Sequence, residues 1–508
     1  MSGAARALLV CVLLGAAGVR AETPAAEFRW GADSQGGAPY IFQDPMDPNH
    51  LIGFEVELAD ALAERMGQRA RPVPGPWDRL LELLNRGDFD AAINGMEVAD
   101  EKLRVCALSR PYYVAVQRLT VRADARDAPA TVEGLKDWKV GTLPGSLAER
   151  ALERVGAATR TYEGGQDEMF DDLRLGRTDA VLTDEPIAMY YGGIDRALRV
   201  LPGAYGEVRY AAAVRRDDGA QLAAINTALD ALARDGTLRR IYSRWGLYNA
   251  ATAALLGDPG GRPSGVAEAW EAWRTAVGTP PPFWERLRDR YPALLPAFVR
   301  GAWMTVVVSL AAMVLAVLLG MALALCRWRG NRALRWTAVA YIEFFRGTPL
   351  LIQLTMIYFG LPELGVRLDP LASGILALGL NYAAAEAENY RAGLESVPAG
   401  QAEVARTLGF TGWQSLRLVI GPQALRVSLP PSTNDFIALL KDSSLVSLVT
   451  LTELTKTYVN LANATRDHLG LGVVVAAAYL LLGLPAARLA RYLEGRLGAH
   501  LATGEEPR

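Results

Sequence analysis

A polar, helix-forming segment at residues 398–422 lies between apolar segments that are too long for a soluble core. Residues 403–409 favour a short helix that Gly409 would end, because glycine readily adopts the left-handed conformation of a helix C-terminus. Residues 410–418 favour a second helix, which Pro422 would interrupt. A compact pair of helices can seat as a rigid unit in a groove on a partner and transmit force to it. An ordinary solvated helix pair is the alternative interpretation.

Other kinds of chemistry find little support in the residue types. None of the five lysines follows a glycine, so the chain has no Gly-x-x-x-x-Gly-Lys phosphate loop, and any ATP hydrolysis must belong to a separate subunit. The three histidines lack metal-ligand spacing, and the three cysteines imply no disulfide framework. A formal net charge of −2 with no basic stripe argues against a nucleic-acid partner. We therefore expect no catalytic residue, metal or cofactor on this chain.

The first residues are typical of a secretory leader. Arg6 precedes an apolar run at residues 7–18, and small residues before Glu22 predict that residues 1–21 are a signal peptide cleaved after Ala21. An uncleaved anchor helix is the alternative, although the apolar run is short for a membrane span. In either case the sequence predicts that the next domain is exported.

Residues 27–248 have the mixed composition of a globular domain. Strand-like segments such as residues 90–93 and 138–141 alternate with helix-like segments over short connections, which predicts α/β architecture. A Gly-, Pro- and Ala-rich stretch follows. Residues 249–295 are therefore predicted to be a linker that carries one short helix near residues 268–277.

The longest apolar runs are concentrated in residues 296–497, which predicts an all-α transmembrane domain of about five helices. Uncharged runs at residues 301–326 and 469–487 are long enough to span a membrane. Weaker spans, each containing charged residues, are predicted at residues 336–361, 370–394 and 435–457. Residues 498–508 would form a cytoplasmic tail.

Arginines are unevenly distributed around these spans. They cluster in the segments predicted to lie inside, whereas the predicted outside loops at residues 362–369 and 458–468 hold only Arg367 and Arg466. This positive-inside asymmetry places the polar segment 398–422 in the cytoplasm and the N-terminal domain on the periplasmic or extracellular side. The sequence therefore predicts a multi-pass protein of the inner (plasma) membrane.

Residues 296–497 resemble the permeases of ABC importers for polar amino acids. In the polar segment, the coupling-loop pattern of these permeases (Glu-Ala-Ala, three residues, Gly, nine residues, Ile, one residue, Leu-Pro) is matched at Glu403, Ala405, Gly409 and Pro422 and departs at Val404, Val419 and Gly421. Flanking matches lie at residues 345–354, 358–362, 380–384, 393–398 and 443–445. The resemblance implies that the loop docks on a separate ABC ATP-binding subunit that uses the ATP, and that two copies form the pore as a homodimer.

Residues 28–247 resemble the extracellular solute-binding proteins, family 3, of the same importers. Matching stretches lie at residues 53–58, 87–93, 109–113, 140–142, 176–181 and 235–238. The family fold has two α/β lobes joined by crossover strands, expected here near residues 114–121 and 208–214, with the ligand between the lobes. The resemblance implies a fused substrate-binding and membrane-spanning subunit, which captures a polar amino acid and translocates it by alternating access.

The resemblance also implies roles for individual residues. Asp184 would hold the ligand's ammonium group, and Phe54 would wall its side chain. Gly145 and Ser146, at a helix N-terminus, would donate to its carboxylate. The implied ligand-binding residues are Asp33, Tyr40, Phe54, Gly95, Glu97, Lys102, Ser146 and Asp184. A lysine at position 102 departs from the usual arginine and would supply a point charge without bidentate geometry.

Several alternatives stay open at this level. Glu97 either favours a ligand with extra positive charge or turns to solvent at the cleft rim. Phe54 could belong to the core, and Asp184 could cap a helix. For the whole chain, the alternatives are a ligand-gated channel, a sensory membrane protein, a dehydratase-like enzyme that uses Glu97 and Asp184 as acid and base, or an importer of a non-amino-acid solute. The coupling loop and the membrane half favour transport.

Overall fold

The computed structural model describes residues 26–33, 37–45, 47, 50–162, 166–277 and 282–498. The predicted leader at residues 1–21 and the predicted tail beyond residue 498 lie outside the described residues. An α/β half is followed by a helical half, which confirms the predicted fold class.

The strands belong to the N-terminal half. Their bounds are β1 Glu27–Ala32, β2 Phe42–Gln43, β3 Leu51–Ile52, β4 Arg69–Pro74, β5 Ala91–Ala92, β6 Ala107–Leu108, β7 Tyr113–Arg122, β8 Lys139–Thr142, β9 Ala158–Thr161, β10 Ala180–Asp184, β11 Leu198–Val200, β12 Glu207–Tyr210 and β13 Ala213–Val214.

The α-helices run through both halves. Those of the N-terminal half and the connecting segment are α1 Phe54–Arg65, α2 Leu80–Arg86, α3 Asp100–Val105, α4 Leu147–Val155, α5 Gln166–Arg174, α6 Glu185–Ile187, α7 Gly219–Arg234, α8 Thr237–Arg244, α9 Ala250–Leu255, α10 Glu268–Val277 and α11 Phe283–Glu285. Those of the C-terminal half are α12 Tyr291–Arg329, α13 Arg332–Gly347, α14 Leu350–Thr355, α15 Pro370–Glu395, α16 Ala399–Thr407, α17 Gly412–Ser415, α18 Gly421–Asp442, α19 Leu454–Thr465 and α20 His468–Gly498.

The first lobe is built on a five-stranded sheet in the order β4-β1-β5-β13-β6. Strand β1 runs parallel to β4 and to β5, so the loops that follow these strands lie along one edge of the sheet. Asp33 directly follows β1, Trp77 follows β4, and Gly95 follows β5. The topology therefore gathers residues that are distant in sequence at one edge of the lobe.

The second lobe contains a six-stranded sheet in which β11-β7-β10-β8-β9 are neighbours and β12 also pairs with β7. The crossing strands β7 and β12 lie at the positions predicted for the crossovers and pair antiparallel, with Val116 opposite Glu207 and Tyr113 opposite Tyr210. Asp184 is the last residue of β10, next to this crossing.

The segment between the two halves carries helices α9 and α10. Helix α10 packs on the second lobe, because the rings of Trp270 and Trp273 lie 4.5 and 4.9 Å from the ring of Tyr190. The predicted short helix near residues 268–277 is present, and its tryptophans attach the segment to the binding half.

Two helical segments in the described part of the chain are long and apolar enough to cross a membrane, Phe283–Arg329 and His468–Leu489. They contain the two uncharged runs that the sequence singled out. Helix α12 approaches α15 closely at Gly320, where an added Cβ would lie 2.9 Å from the carbonyl oxygen of Ala383. Small residues allow such close approach between membrane helices.

The weaker predicted spans differ in their continuity. Helix α15 covers residues 370–394 without a break. The predicted span at 336–361 is broken at Thr348, which is extended because Pro349 follows it. The predicted span at 435–457 is wrong as a single helix, because α18 ends at Asp442 and a 3₁₀ segment at Ser443–Val449 separates it from α19.

Candidate functional site

Buried hydroxyl and carboxylate groups link the two lobes. Tyr210 on β12 donates a hydrogen bond to Asp184 at the end of β10. The Tyr210 oxygen lies 2.8 Å from the hydroxyl of Tyr40 in the first lobe. Because the Tyr210 proton is used in the bond to Asp184, Tyr40 donates to Tyr210. The side chain of Asp184 makes no cap hydrogen bond to α6, so the helix-cap alternative does not describe it. Burial raises the pKa of Asp184.

Glu97 lies inside the cleft between the lobes and is only 3% exposed. Its two carboxylate oxygens lie 3.1 and 3.0 Å from the backbone N–H nitrogen of Leu147, the first residue of α4 in the second lobe. Burial, together with the negative charge of Asp184, raises the pKa of Glu97. The solvent-facing alternative for Glu97 therefore does not describe its position.

The turn before α4 uses most of its polar groups internally. The hydroxyl oxygen of Ser146 accepts from the N–H of Glu149 at 3.1 Å and donates to the carbonyl of Leu143 at 2.8 Å. The N–H of Gly145 donates to the Glu149 carboxylate at 2.6 Å. The N–H of Gly145 and the hydroxyl of Ser146 are thus engaged within their own turn, whereas the N–H of Leu147 donates across the cleft to Glu97.

Lys102 and Trp77 lie beside Glu97 in the cleft. The Lys102 ammonium nitrogen lies 3.9 Å from a carboxylate oxygen of Glu97 and 5.0 Å from the centroid of the Trp77 ring. This nitrogen is buried, and no group among the described residues forms a hydrogen bond with it. Burial lowers the pKa of Lys102. This ammonium group is the cationic donor that faces the cleft beside Glu97.

Trp77 is a cleft residue that the sequence reasoning missed. Its indole N–H donates to the carbonyl of Asn94 at 2.9 Å, and its backbone N–H donates to Asp33 at 3.2 Å. A Cβ added to Gly145 of the second lobe would lie 3.6 Å from the Trp77 ring, so the ring faces the opposite lobe. Its position just after a strand of a parallel sheet was the available signal, because ligands bind at that edge.

Tyr40, Phe54 and Gly95 support the first-lobe wall. Phe54 is fully buried, with its ring 5.3 Å from that of Tyr40 and 5.7 Å from that of Tyr113. This places Phe54 in the core, behind Tyr40. Gly95 has a φ of +57°, and an added Cβ would lie 3.1 Å from the Tyr40 ring, so glycine lets the loop approach. Among the residues that the structure describes, no cluster of His, Cys, Asp or Glu is placed to hold a metal ion.

The binding half contacts the helical half at several points. The backbone carbonyl of Tyr358 accepts from Arg86 at 2.8 Å, and Arg466 forms an ion pair with Asp167 at 3.0 Å. Lys456 of α19 is buried and interacts electrostatically with Asp33, the residue beside Trp77. One edge of the cleft therefore lies against α19.

Comparisons with known proteins match both halves. Residues 29–248 match the bacterial extracellular solute-binding proteins, family 3, and residues 316–499 match the binding-protein-dependent transport system inner membrane component. A probable glutamine ABC transporter permease of Bacillus subtilis (strain 168) is 37% identical over 200 residues, which are 39% of this chain and 93% of that protein. The chain belongs to the amino-acid ABC transporter permeases. An L-cystine transport system permease of the same organism is 36% identical over 204 residues, covering 40% of this chain and 85% of that permease.

A solved ancestral arginine-binding protein bound to arginine is 29% identical, covering 43% of this chain and 98% of that protein, with a TM-score of 0.40. The two family matches show that this amino-acid ABC transporter carries a solute-binding domain and a permease domain on one chain. The channel and sensory alternatives are not favoured. The permease family indicates a transport subunit of the inner membrane rather than an enzyme.

The segment predicted to be the coupling loop, residues 398–422, presents apolar side chains to solvent. Helix α16 ends at Thr407, Leu408 is its C-cap residue, and Gly409 follows with a φ of +80°. Ala405 is buried, whereas Val404 and Trp413 are 59% and 65% exposed. Glu403 is also exposed. The loop therefore has a buried anchor and an uncovered apolar face.

The second helix of the segment 398–422 continues further than predicted. A capping box between Thr411 and Gln414 starts α17, and a π-helical turn at Leu416–Ile420 joins it to α18. Pro422 lies in the first turn of α18, where proline is tolerated because it need not donate a backbone hydrogen bond. Pro422 thus does not interrupt the helix.

Proposed function

We propose that this chain captures a polar amino acid on the outer side of the membrane, between its two lobes, and delivers it to a pore formed by two copies of its permease domain. A separate ABC ATP-binding subunit hydrolyses ATP and seats on residues 398–422. The exposed apolar face at Val404 and Trp413 supports a docked partner there. Closure of the loaded binding half and ATP binding by the partner subunit then switch the pore between its outward-facing and inward-facing states.

The proximity of Asp33, beside the cleft, to Lys456 of α19 carries this proposal. Asp33 accepts a hydrogen bond from Trp77 in the cleft and interacts electrostatically with Lys456 of the permease half. A solute released from the cleft therefore leaves next to the permease. Handover within one chain replaces the diffusional encounter of a free binding protein with a high effective concentration.

The charge of the cleft favours a cationic amino acid. Three carboxylates lie at the cleft, those of Asp33, Glu97 and Asp184. They outnumber the two lysines that interact with them, Lys102 and Lys456. Aromatic rings beside carboxylates bind ammonium and guanidinium groups through cation–π attraction. An arginine transport system permease of Bacillus subtilis (strain 168) is 31% identical over 204 residues, covering 93% of that permease.

Reconstitution tests the proposal. The full chain would be placed in liposomes with its ATP-binding subunit, and uptake of radiolabelled L-arginine, L-lysine, L-glutamine and L-glutamate would be measured with and without ATP. We expect ATP-dependent uptake of the cationic members. Asp184→Asn should abolish it, because the buried carboxylate then no longer balances the ligand cation. A complex that hydrolyses ATP yet transports no member of the panel would contradict the proposal.

A further inference from the structure

Glu97 occupies the position from which a ligand carboxylate would be bound. The family resemblance implied that the N-terminus of α4 and Lys102 would bind that carboxylate. In the structure, both oxygens of Glu97 accept from the N–H of Leu147, at 3.1 and 3.0 Å. The same side chain lies 3.9 Å from the Lys102 ammonium nitrogen. The protein thus supplies its own carboxylate to both donors.

The backbone holds Glu97 in this place. Residues on either side of it pair with strand β12, because the N–H of Val98 donates to the carbonyl of Arg209 at 2.8 Å. The N–H of Ala211 donates to the carbonyl of Met96 at 2.9 Å. Glu97 itself forms a bridge with Tyr210 on the crossing strand. Its side chain therefore enters the cleft from a backbone that is fixed at both neighbours.

A ligand carboxylate would have to displace Glu97 or lie beside it. Displacement breaks a charge-assisted hydrogen bond and leaves a buried carboxylate without its donor, and each is unfavourable. If Glu97 stays, the ligand carboxylate shares Lys102 with it and is repelled by Glu97 and Asp184. Either path lowers the affinity for a zwitterionic amino acid.

A ligand with cationic groups and no carboxylate avoids both costs. It leaves Glu97 on Leu147, and its cation would lie between Glu97 and Asp184, whose charges interact in the cleft. A second cation would lie against the Trp77 ring and near Asp33, whose negative charge it would share with Lys456. This arrangement suits a short diamine or an amino-guanidine.

We infer that the cleft binds small cationic amines and guanidines that lack an α-carboxylate more tightly than the amino acids with the same side chains, and that Glu97 is the residue that makes this choice. The inference rests on the proposed cationic-solute function and names the chemical class that the cleft prefers.

Matched pairs of ligands test the inference, because their members differ only in the carboxylate. The purified full chain in detergent would be titrated calorimetrically with L-arginine and agmatine, and with L-lysine and cadaverine. We expect the amine of each pair to bind at least ~10-fold more tightly, which corresponds to about 1.4 kcal/mol. Equal or tighter binding of L-arginine and L-lysine would overturn the inference and leave the proposed function standing. Binding of none of the four would overturn both.

The variant Glu97→Ser tests the residue itself. It frees the N–H of Leu147 and the charge of Lys102, so we expect L-arginine to gain and agmatine to lose roughly tenfold in affinity. Glu153→Ser, which removes an exposed carboxylate from helix α4, the helix that begins at Leu147, is the matched control and should change neither affinity. If Glu97→Ser does not fold, Glu97→Gln is used instead, because it keeps the size of the side chain and one hydrogen-bond acceptor. Glu97→Gln should reduce the ratio of the agmatine affinity to the L-arginine affinity. An agmatine preference that persists in a folded variant would overturn the role of Glu97.

Discussion

Arg466 of the permease half and Asp167 of the binding half form an ion pair at 3.0 Å, with side chains that are 19% and 11% exposed. Arg466 has a φ of +52°, which is uncommon for a residue other than glycine, and its guanidinium lies 5.7 Å from the centroid of the Tyr191 ring. The pair joins the second lobe to the residue after α19. Movement of that lobe would therefore act directly on the permease.

We predict that Arg466→Asn uncouples solute binding from transport. Asparagine tolerates the positive φ, so the backbone is kept while the charge is removed. The partly buried Asp167 then keeps only the longer contact with His468, at 3.8 Å, and the loss of the arginine costs the contact between the halves about 1–3 kcal/mol. ATP-driven uptake in liposomes should fall by about tenfold, while the equilibrium affinity for the solute, measured by calorimetry on the full chain, should stay the same.

A control variant shows whether the effect is specific to the contact between the two halves. Arg110 forms an exposed ion pair with Asp230 at 2.6 Å within the binding half, so Arg110→Asn should affect neither measurement. The double variant Arg466→Asn with Asp167→Asn should recover part of the uptake, because no uncompensated charge remains. A loss of affinity as large as the loss of uptake would show instead that Arg466 serves the binding domain alone.

Hydropathy and strand–helix alternation were sufficient to predict the two-part architecture, but not every element. The crossing strands β7 and β12 lie where the resemblance placed them. The span predicted at residues 435–457 fails, since a window average cannot detect the 3₁₀ segment at Ser443–Val449. Local hydrogen-bonding geometry decides that break, whereas average polarity does not.

The sequence predicted which residues lie at the candidate site better than it predicted the role of each one. The sequence left two positions open for the Glu97 side chain, in the cleft or in solvent. Its position depends on a bridge to Tyr210, a pairing across more than a hundred residues that no local sequence pattern indicates. Phe54 was proposed as a wall because it lies in a matching stretch, yet it packs behind Tyr40. Trp77 became visible only when the sheet brought its loop next to Gly95 and Asp33.

Glu55 should make the stability of the binding half decrease as the pH rises. It is fully buried and accepts from the N–H of Gly95 at 2.7 Å and from the hydroxyl of Tyr112 at 2.5 Å. Burial raises the pKa of Glu55 from 4.5 to about 7. The folded state therefore binds more protons than the unfolded state between these two pH values. The contribution of Glu55 to the free energy of unfolding is fully present below pH 4.5 and is lost as the pH rises through about 7.

The pH dependence can be assigned with one variant and one control. Glu55→Gln cannot ionise and should flatten the decrease, with a change on the order of 3 kcal/mol between pH 5 and pH 8. Glu64→Gln, at an exposed position of the same helix α1, should keep the wild-type slope. Thermal unfolding of the full chain, followed by tryptophan fluorescence across that range, gives the slopes. An unchanged slope in Glu55→Gln would assign the effect to other groups.

Val404→Asp should weaken the contact with the ATP-binding subunit. Val404 is exposed on α16 next to the buried Ala405, so a carboxylate there does not disturb the fold but becomes buried without a partner once the subunit docks. Co-purification of the subunit and ATP-driven uptake should each fall by about tenfold, with solute binding unchanged. Gln401→Asp adds the same charge at an exposed position of α16 and serves as the control. Equal losses in both variants would mean that charge alone is responsible.

Trp77 and Phe54 should respond differently to truncation. Trp77 faces the opposite lobe across the cleft, whereas Phe54 is fully buried beside Tyr40. Loss of one aromatic wall costs a cationic ligand roughly 1–2 kcal/mol, so Trp77→Ala should weaken binding by about tenfold while the melting temperature changes little. Phe54→Leu should do the reverse, since a smaller core side chain destabilises the fold by on the order of 1 kcal/mol and leaves the cleft surface intact.

Both variants can be followed in the same preparations of full chain, with calorimetry for affinity and tryptophan fluorescence for unfolding. A loss of affinity in Phe54→Leu without a change in melting temperature would return Phe54 to the ligand wall that the resemblance implied. The indole of Trp77 also donates to the carbonyl of Asn94, so Trp77→Phe removes this bond but keeps an aromatic face. If the ring acts through its π-face, Trp77→Phe should retain most of the affinity that Trp77→Ala loses. If positioning of the Asn94 loop is what matters, the two substitutions should be equally damaging.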